Sequence, residues 1–262
     1  DPREQDEAAP SSTTPATSLP AQTVTAAQLG ARATPISEVK EMPAVAQFHG
    51  RAGEVLEIEQ WLRHPSCHLV AVLGMGGMGK TALAAQVVTR LIGASPGEFT
   101  FVLWRSLLNA PPLSEILRSW LQILSHQTLV TLPSSPAEQI HLLLAYLRQE
   151  RCLLVLDNLE SILQVGEAAG ALRPGYEAYA QLLQQVGGAV HNSCLLLTSR
   201  EHPLVLDTLQ RTTSTTRVLT LPGLDPEAGE ALLQAQGLTL LPHQVTSLVT
   251  HYSGNPFALQ IV

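Results

Sequence analysis

The chain of 262 residues predicts an α/β fold: a five-stranded parallel sheet sandwiched by helices and followed by a small helical subdomain. Three observations predict it. Short runs such as His68–Leu73, Cys152–Leu156 and Ser193–Thr198 are apolar at consecutive rather than alternate positions, as strands covered on both faces must be. Segments of helical periodicity lie between these runs, the alternation that builds parallel sheets. Beyond residue 222 the strand-like runs stop and only helical spacing continues.

Taken in order, Val55, Ile58 and Leu62 give a helix over about 52 to 63 that leads into the first strand, His68–Leu73. A glycine-rich loop follows, then a helix with Leu83, Val87, Val88, Leu91 and Ile92 on one stripe. Thr100–Trp104 is the second strand. Two helices come next, marked by Ile116, Leu117, Trp120, Leu121 and Leu124 and by Ile140, Leu143, Leu144 and Leu147. The latter has a signalled start, because Ser135-Pro136-Ala137-Glu138 combines a capping box with proline at the first helical position. Cys152–Asp157 and Ser193–Thr198 are the third and fourth strands, with a helix about 176 to 186 between them, and Arg217–Leu221 is the fifth. Asp225-Pro226-Glu227 opens a helix, and Val245, Leu248, Val249 and Tyr252 line another that stops at Ser253-Gly254.

The loop is Gly74-Met75-Gly76-Gly77-Met78-Gly79-Lys80-Thr81, a G-x-x-x-x-G-K-T pattern between a strand and a helix. Gly74, Gly76, Gly77 and Gly79 carry no side chain, so successive N–H groups, including those of Met78 and Ala82 nearby, can curl around a phosphate at the positive end of the helix. Lys80 places an ammonium at the β- and γ-phosphates, and the Thr81 hydroxyl is a ligand for Mg²⁺. Lys80 is the only lysine after Lys40, in a chain that otherwise uses arginine for positive charge. The pattern implies a bound nucleoside triphosphate.

Composition narrows the classes. A net charge of −7, with no arginine-rich stripe interleaved with aromatics, argues against nucleic acid and anionic membranes as partners. The apolar runs are strand-sized, too short to span a bilayer. Cys67, Cys152 and Cys194 show no metal-ligand spacing and read as reduced core thiols, which places the chain in the cytoplasm. No histidine spacing suggests a metal site, and no serine or cysteine sits in a nucleophile motif. Residues 1 to 45 are rich in Ala, Pro, Ser, Thr and Gln and precede the first aromatic residue, Phe48, so they read as a disordered linker. Residues 46–222 then form the nucleotide-binding domain, and 223–262 the start of the helical subdomain. The opening Asp1-Pro2 is expected of a segment from a longer protein.

Five segments in this order resemble one family: Phe48-His49-Gly50-Arg51, the phosphate loop, Leu153-Leu154-Val155-Leu156-Asp157-Asn158, Leu197-Thr198-Ser199-Arg200 and Gly254-Asn255-Pro256-Phe257-Ala258-Leu259. The chain from about residue 48 to 262 is similar to the NB-ARC branch of the STAND signalling ATPases, above all to bacterial members with WD-type or tetratricopeptide repeats after the nucleotide domain. The resemblance implies a P-loop NTPase that binds ATP or ADP with Mg²⁺. It makes Asp157 the Walker B acid that holds Mg²⁺ through water, and Arg200 the sensor of the γ-phosphate. Gly50 and Arg51 match the segment approaching the adenine, and Pro256 the proline of the lid over base and ribose. Arg105 stands near a polar contact to the nucleotide side.

At Asn158 many hydrolytic relatives carry a second carboxylate. An amide can orient water but cannot take its proton, so hydrolysis is expected to be slow, as suits a switch. Glu160 is a nearby carboxylate of undetermined direction. The resemblance further implies that ADP holds the full-length protein closed, that ATP opens it for self-association, and that sensor and repeat domains follow this segment. A substrate-remodelling ATPase of the AAA+ type and a passive ATP-binding module are the alternatives; a GTPase is disfavoured because no Asn-Lys-x-Asp motif is present.

Overall fold

The computed structural model describes residues 35–45, 48–94, 97–129, 131–166 and 169–262. The strands are β1 (Ile36–Glu38), β2 (Leu69–Leu73), β3 (Phe101–Ser106), β4 (Cys152–Asp157), β5 (Cys194–Ser199) and β6 (Thr216–Thr220). They form one sheet in the order β1-β3-β4-β5-β2-β6, every neighbour parallel. The helices are α1 (Ala52–Arg63), α2 (Lys80–Ala94), α3 (Leu113–Leu124), α4 (Pro136–Gln149), α5 (Glu177–Gly188), α6 (Leu204–Thr212), α7 (Pro226–Ala235), α8 (Pro242–His251) and α9 (Pro256–Ile261).

Alternate strand residues point to opposite faces, so each central strand feeds two cores. Leu69, Ala71 and Leu73 of β2 join Leu103, Leu154 and Leu195 under α3, α4, α5 and α6. Val70 and Val72 join Trp104, Val155 and Leu196 under α1 and α2. This two-sided burial is the physical reason that the strands read as unbroken apolar runs. A separate, smaller core of Leu224, Ala228, Leu232, Val245, Val249 and Leu259 unites α7, α8 and α9. Its connection to the sheet is tight. Gly254 has φ 64, and a Cβ there would lie 2.4 Å from the Leu224 carbonyl oxygen, so only glycine closes this turn.

The sheet has six strands among the described residues, not five. The additional one, β1, comes from the segment expected as a linker, and pairs Ile36, Ser37 and Glu38 with Phe101, Val102 and Leu103. Glu38 forms an ion pair with Arg105 at 3.4 Å, and a Glu41 carboxylate oxygen accepts from the Ser106 N–H at 2.6 Å. An edge strand with two of its three side chains exposed carries no apolar signature. Residues 39–45 of the expected linker are also ordered against the domain, with Val39, Met42 and Val45 packed on the core under α1 and α2 and Pro43 lining the cavity described below, while residues 1–34 lie outside the described residues. Helix α6 was not signalled either, because only Leu206 and Leu209 of its nine residues are buried. The three cysteines are free and buried, as expected. No helix among the described residues is long and apolar enough to cross a membrane.

A polar node sits at the end of the sheet where the interior strands β4 and β5 begin. The His191 Nδ1 accepts from the Ser193 N–H at 3.2 Å, while its Nε2 faces the Val186 carbonyl oxygen at 2.9 Å and must carry the proton. His68 stacks on it with ring centroids 4.3 Å apart. Burial, and then His68, push the imidazole down to about 4. Because the folded value lies below the unfolded one, the unfolded chain takes up a proton first as pH falls, and stability is lost between about pH 6.5 and 4, by up to about 3 kcal/mol. Thermal melts across that window should show a steeper loss for the wild type than for His191→Gln, which is less stable at neutral pH but does not titrate. Parallel profiles would contradict the assignment.

Candidate functional site

Leu73 ends β2 with the chain turning at Gly74, whose N–H donates to the Ser199 carbonyl at 3.2 Å. The loop then curls back over the start of α2. Gly77, at φ 80, is forced to be glycine, since a Cβ would stand 2.6 Å from Asn255 Oδ1 and 2.9 Å from Phe257 Cβ. Lys80 is buried, and its Nζ donates to the carbonyls of Gly74 at 2.8 Å and Met75 at 3.0 Å. Burial lowers its pKa, Glu160 and Asp157 raise it, and Arg200 lowers it. An ammonium satisfied by carbonyls of its own loop can exchange them for phosphate oxygens.

Asp157 ends β4 and is buried. Its Oδ1 accepts from Thr81 Oγ1 at 2.8 Å and also from Thr198 Oγ1 on β5. Thr198 Oγ1 in turn accepts from the Asn158 N–H at 3.0 Å. Burial raises the Asp157 pKa, while the two hydroxyls oppose the rise by favouring the carboxylate. Asn158 adopts the left-handed conformation, φ 63, which turns the chain into the short helical turn Leu159–Ile162. Within that turn Glu160 Oε1 meets Arg200 Nε at 3.0 Å, and its Oε2 accepts from the Arg200 N–H at 3.1 Å.

A cavity of about 440 Å³ opens beside the loop, within the ~300–1,000 Å³ of small-molecule sites. Lys80, Thr81, Asn158, Glu160 and Arg200 cluster at its polar end, and Pro43, Phe48, His49, Leu224, Leu232, Pro256, Phe257 and Gln260 are among the other residues of its lining. Of the residues expected from the sequence, Arg51, Gly77, Met78, Gly79, Lys80, Thr81, Ala82, Asn158, Arg200 and Pro256 line it. Asp157 stands behind Thr81. Gly74 packs against Leu221 and Gly76 against the Arg200 guanidinium, so both shape the loop without lining the cavity. Gly50 faces Ala228 instead. Arg51 ties the units together, its Nη2 donating to the carbonyls of Met78 at 3.2 Å and Pro222 at 2.7 Å. Arg105 is buried at the sheet edge against Ser119 and Glu38, away from the cavity.

Three features escaped the sequence reading. Thr198 anchors Asp157, yet a threonine in a buried strand has no distinguishing pattern. Asn255 caps α9 through Oδ1 and donates from Nδ2 to the Gly76 carbonyl at 2.9 Å; its place between Gly254 and Pro256 was the available signal. His49 lines the cavity, and its buried Nε2 has no partner among the described residues. A ligand with a polar edge beside His49 would supply one.

The donor set fits a nucleotide with a hard cation. Glycine-loop amides and Lys80 suit phosphates, the apolar side chains of the lining suit a base, and Thr81 and Asp157 supply oxygens of the kind Mg²⁺ takes together with phosphate and water. No group of three His, Cys, Asp or Glu side chains among the described residues could hold a metal alone.

A parallel α/β sheet with this loop defines a P-loop nucleotide-binding domain. Residues 68–236 match the NACHT domain, and the chain belongs to that family, a STAND-class P-loop NTPase domain. The STAND class read from the sequence is thereby shown, with NACHT as the matching domain. The chain is 39% identical over 233 residues to an uncharacterised WD repeat-containing protein of Nostoc sp., covering 87% of this chain but only 18% of that protein. In fold it is similar to a STAND protein with a tetratricopeptide repeat sensor from Pyrococcus horikoshii (TM-score 0.61, 16% identity, 84% of this chain and 30% of that one). The Orc1 protein of Aeropyrum pernix, solved with DNA, is also similar (TM-score 0.54, 15% identity, 84% and 59%).

Replacing Thr198 by valine keeps the shape but removes one hydroxyl from Asp157 and the acceptor of the Asn158 N–H. Urea denaturation should register a loss of about 1–3 kcal/mol, the cost of leaving buried polar groups unpaired. A loss below about 0.5 kcal/mol would show that the network does not hold the loop to the sheet.

Proposed function

We propose that the domain is an ATP/ADP-operated switch with slow hydrolysis, acting within a larger signalling protein. The observation that carries this reading is the shared cavity: its polar end belongs to the sheet, while Leu224, Leu232, Pro256, Phe257 and Gln260 come from the helical unit α7–α9 and the link before it. A ligand that bridges two units couples its identity to their arrangement. Asn255 and Phe257, which contact the carbonyls of Gly76 and Gly77, favour the lid role implied by the NB-ARC-type Gly-Asn-Pro segment.

In this reading Lys80 holds the β- and γ-phosphates, Thr81 and Asp157 hold Mg²⁺, and Arg200 distinguishes ATP from ADP. The bound cation supplies charge neutralisation for the phosphates. Asn158 orients water without accepting its proton; Glu160, which lines the cavity, is the carboxylate that can accept one, but it is engaged by Arg200. The amide at Asn158 supports slow turnover. The WD-repeat relative and the tetratricopeptide-repeat structure support repeat domains beyond this segment, with self-association and a cytoplasmic setting as further parts of the proposal.

Calorimetry in Mg²⁺ tests the roles. Lys80→Ala should weaken ATP and ADP alike, because the β-phosphate is common to both. Arg200→Ala should weaken ATP by about 1.5–3 kcal/mol, the scale of a hydrogen bond to a charged group, and leave ADP nearly unchanged. Equal losses for both nucleotides on Arg200→Ala would remove the sensor role.

A further inference from the structure

The Arg200 side chain touches two things at once. Its guanidinium lies against Gly76 of the phosphate loop, where a Cβ would be 3.4 Å from Cζ, and its Nε pairs with Glu160 at 3.0 Å. The backbone N–H of the same arginine donates to the other Glu160 oxygen at 3.1 Å. Both carboxylate oxygens of Glu160 are therefore occupied by a single residue, and that residue stands at the loop that cradles phosphate. We propose that Arg200 and Glu160 form a clasp that holds the acceptor carboxylate out of use until a γ-phosphate takes the guanidinium from it. The inference rests on the sensor role of Arg200 given above, and adds what that arginine releases.

The physical argument is one of competition. Glu160 is mostly covered, with 16% of its side chain exposed, while Arg200 is 62% exposed. A pair with one partner in solvent is weak, so it can be broken by a ligand that carries more charge. A terminal phosphate offers the guanidinium a denser anion and a bidentate geometry. ADP ends one phosphate short and leaves the clasp closed. Glu160 lines the cavity, so moving the guanidinium away frees its Oε1 on the cavity wall and leaves the carboxylate held by the Arg200 N–H alone. The clasp thus ties recognition of the third phosphate to liberation of the group that can accept a proton from water.

Two measurements test it. Wild type, Glu160→Gln, Arg200→Ala and the double variant are titrated with a non-hydrolysable ATP analogue and with ADP. Glu160→Gln should tighten the analogue about two- to fivefold, the scale of a weak ion pair no longer to be broken, and leave ADP unchanged. The same substitution in the Arg200→Ala background should give no gain. An equal gain in both backgrounds is what removal of a negative charge near the γ-phosphate gives by itself, and it overturns the clasp, as does no gain in either. Neither result touches the sensor role, which rests on whether Arg200→Ala alone spares ADP. Hydrogen exchange on the unaltered protein is the second measurement: the peptide containing the Arg200 N–H should exchange faster with the analogue than with ADP. Identical exchange with both nucleotides overturns the proposal.

Discussion

One carboxylate oxygen holds the site together. Asp157 Oδ1 accepts from Thr81 at the start of α2 and from Thr198 on β5, and so links the loop, the end of β4 and the strand between them. The strand order makes this possible. β5 lies between β2 and β4, so the loop after β2 and the acid at the end of β4 are two strand spacings apart, roughly 10 Å. Thr198, in register with Val72 of β2, fills that gap from the middle strand. Because the carboxylate is buried, each hydroxyl matters more than it would in water.

The helical unit is built on that platform. Gly254 allows its final turn to sit against Leu224, and this brings Asn255 to the loop. The Asn255 side chain then serves both units, capping α9 with its oxygen and holding the Gly76 carbonyl with its amide. Arg51 makes a second tie, between Met78 in the loop and Pro222 in the link to α7. Such contacts are worth about 1 kcal/mol each, strong enough to define an arrangement and weak enough for a ligand to change it.

Electrostatics follow the same economy. Lys80 is satisfied by loop carbonyls and Arg200 by Glu160, so each cation at the polar end already has partners and neither stands as an uncompensated charge. A polyphosphate competes with those partners group by group. The differential affinity of the site for nucleotides therefore depends on which partners each phosphate displaces, not on charge alone.

The sequence by itself determined the layered α/β order, because strands buried on both faces must be apolar throughout and amphipathic helices must repeat every three to four residues. It also determined the phosphate loop, since Gly77 and Lys80 are chosen by backbone geometry and charge, and the Gly-Asn-Pro segment that begins α9. Tertiary structure decided what depends on neighbours distant in the chain. Edge strand β1 is stabilised by pairing with β3 rather than by apolar content, so residues 36–38 carried no readable pattern. Gly50 and Arg105, both expected near the nucleotide, face Ala228 and the Glu38 carboxylate once folded. Thr198 as the anchor of Asp157, and Glu160 as the partner of Arg200, emerge only when β4 and β5 lie side by side, because a hydrogen bond between residues some forty positions apart leaves no trace in local periodicity.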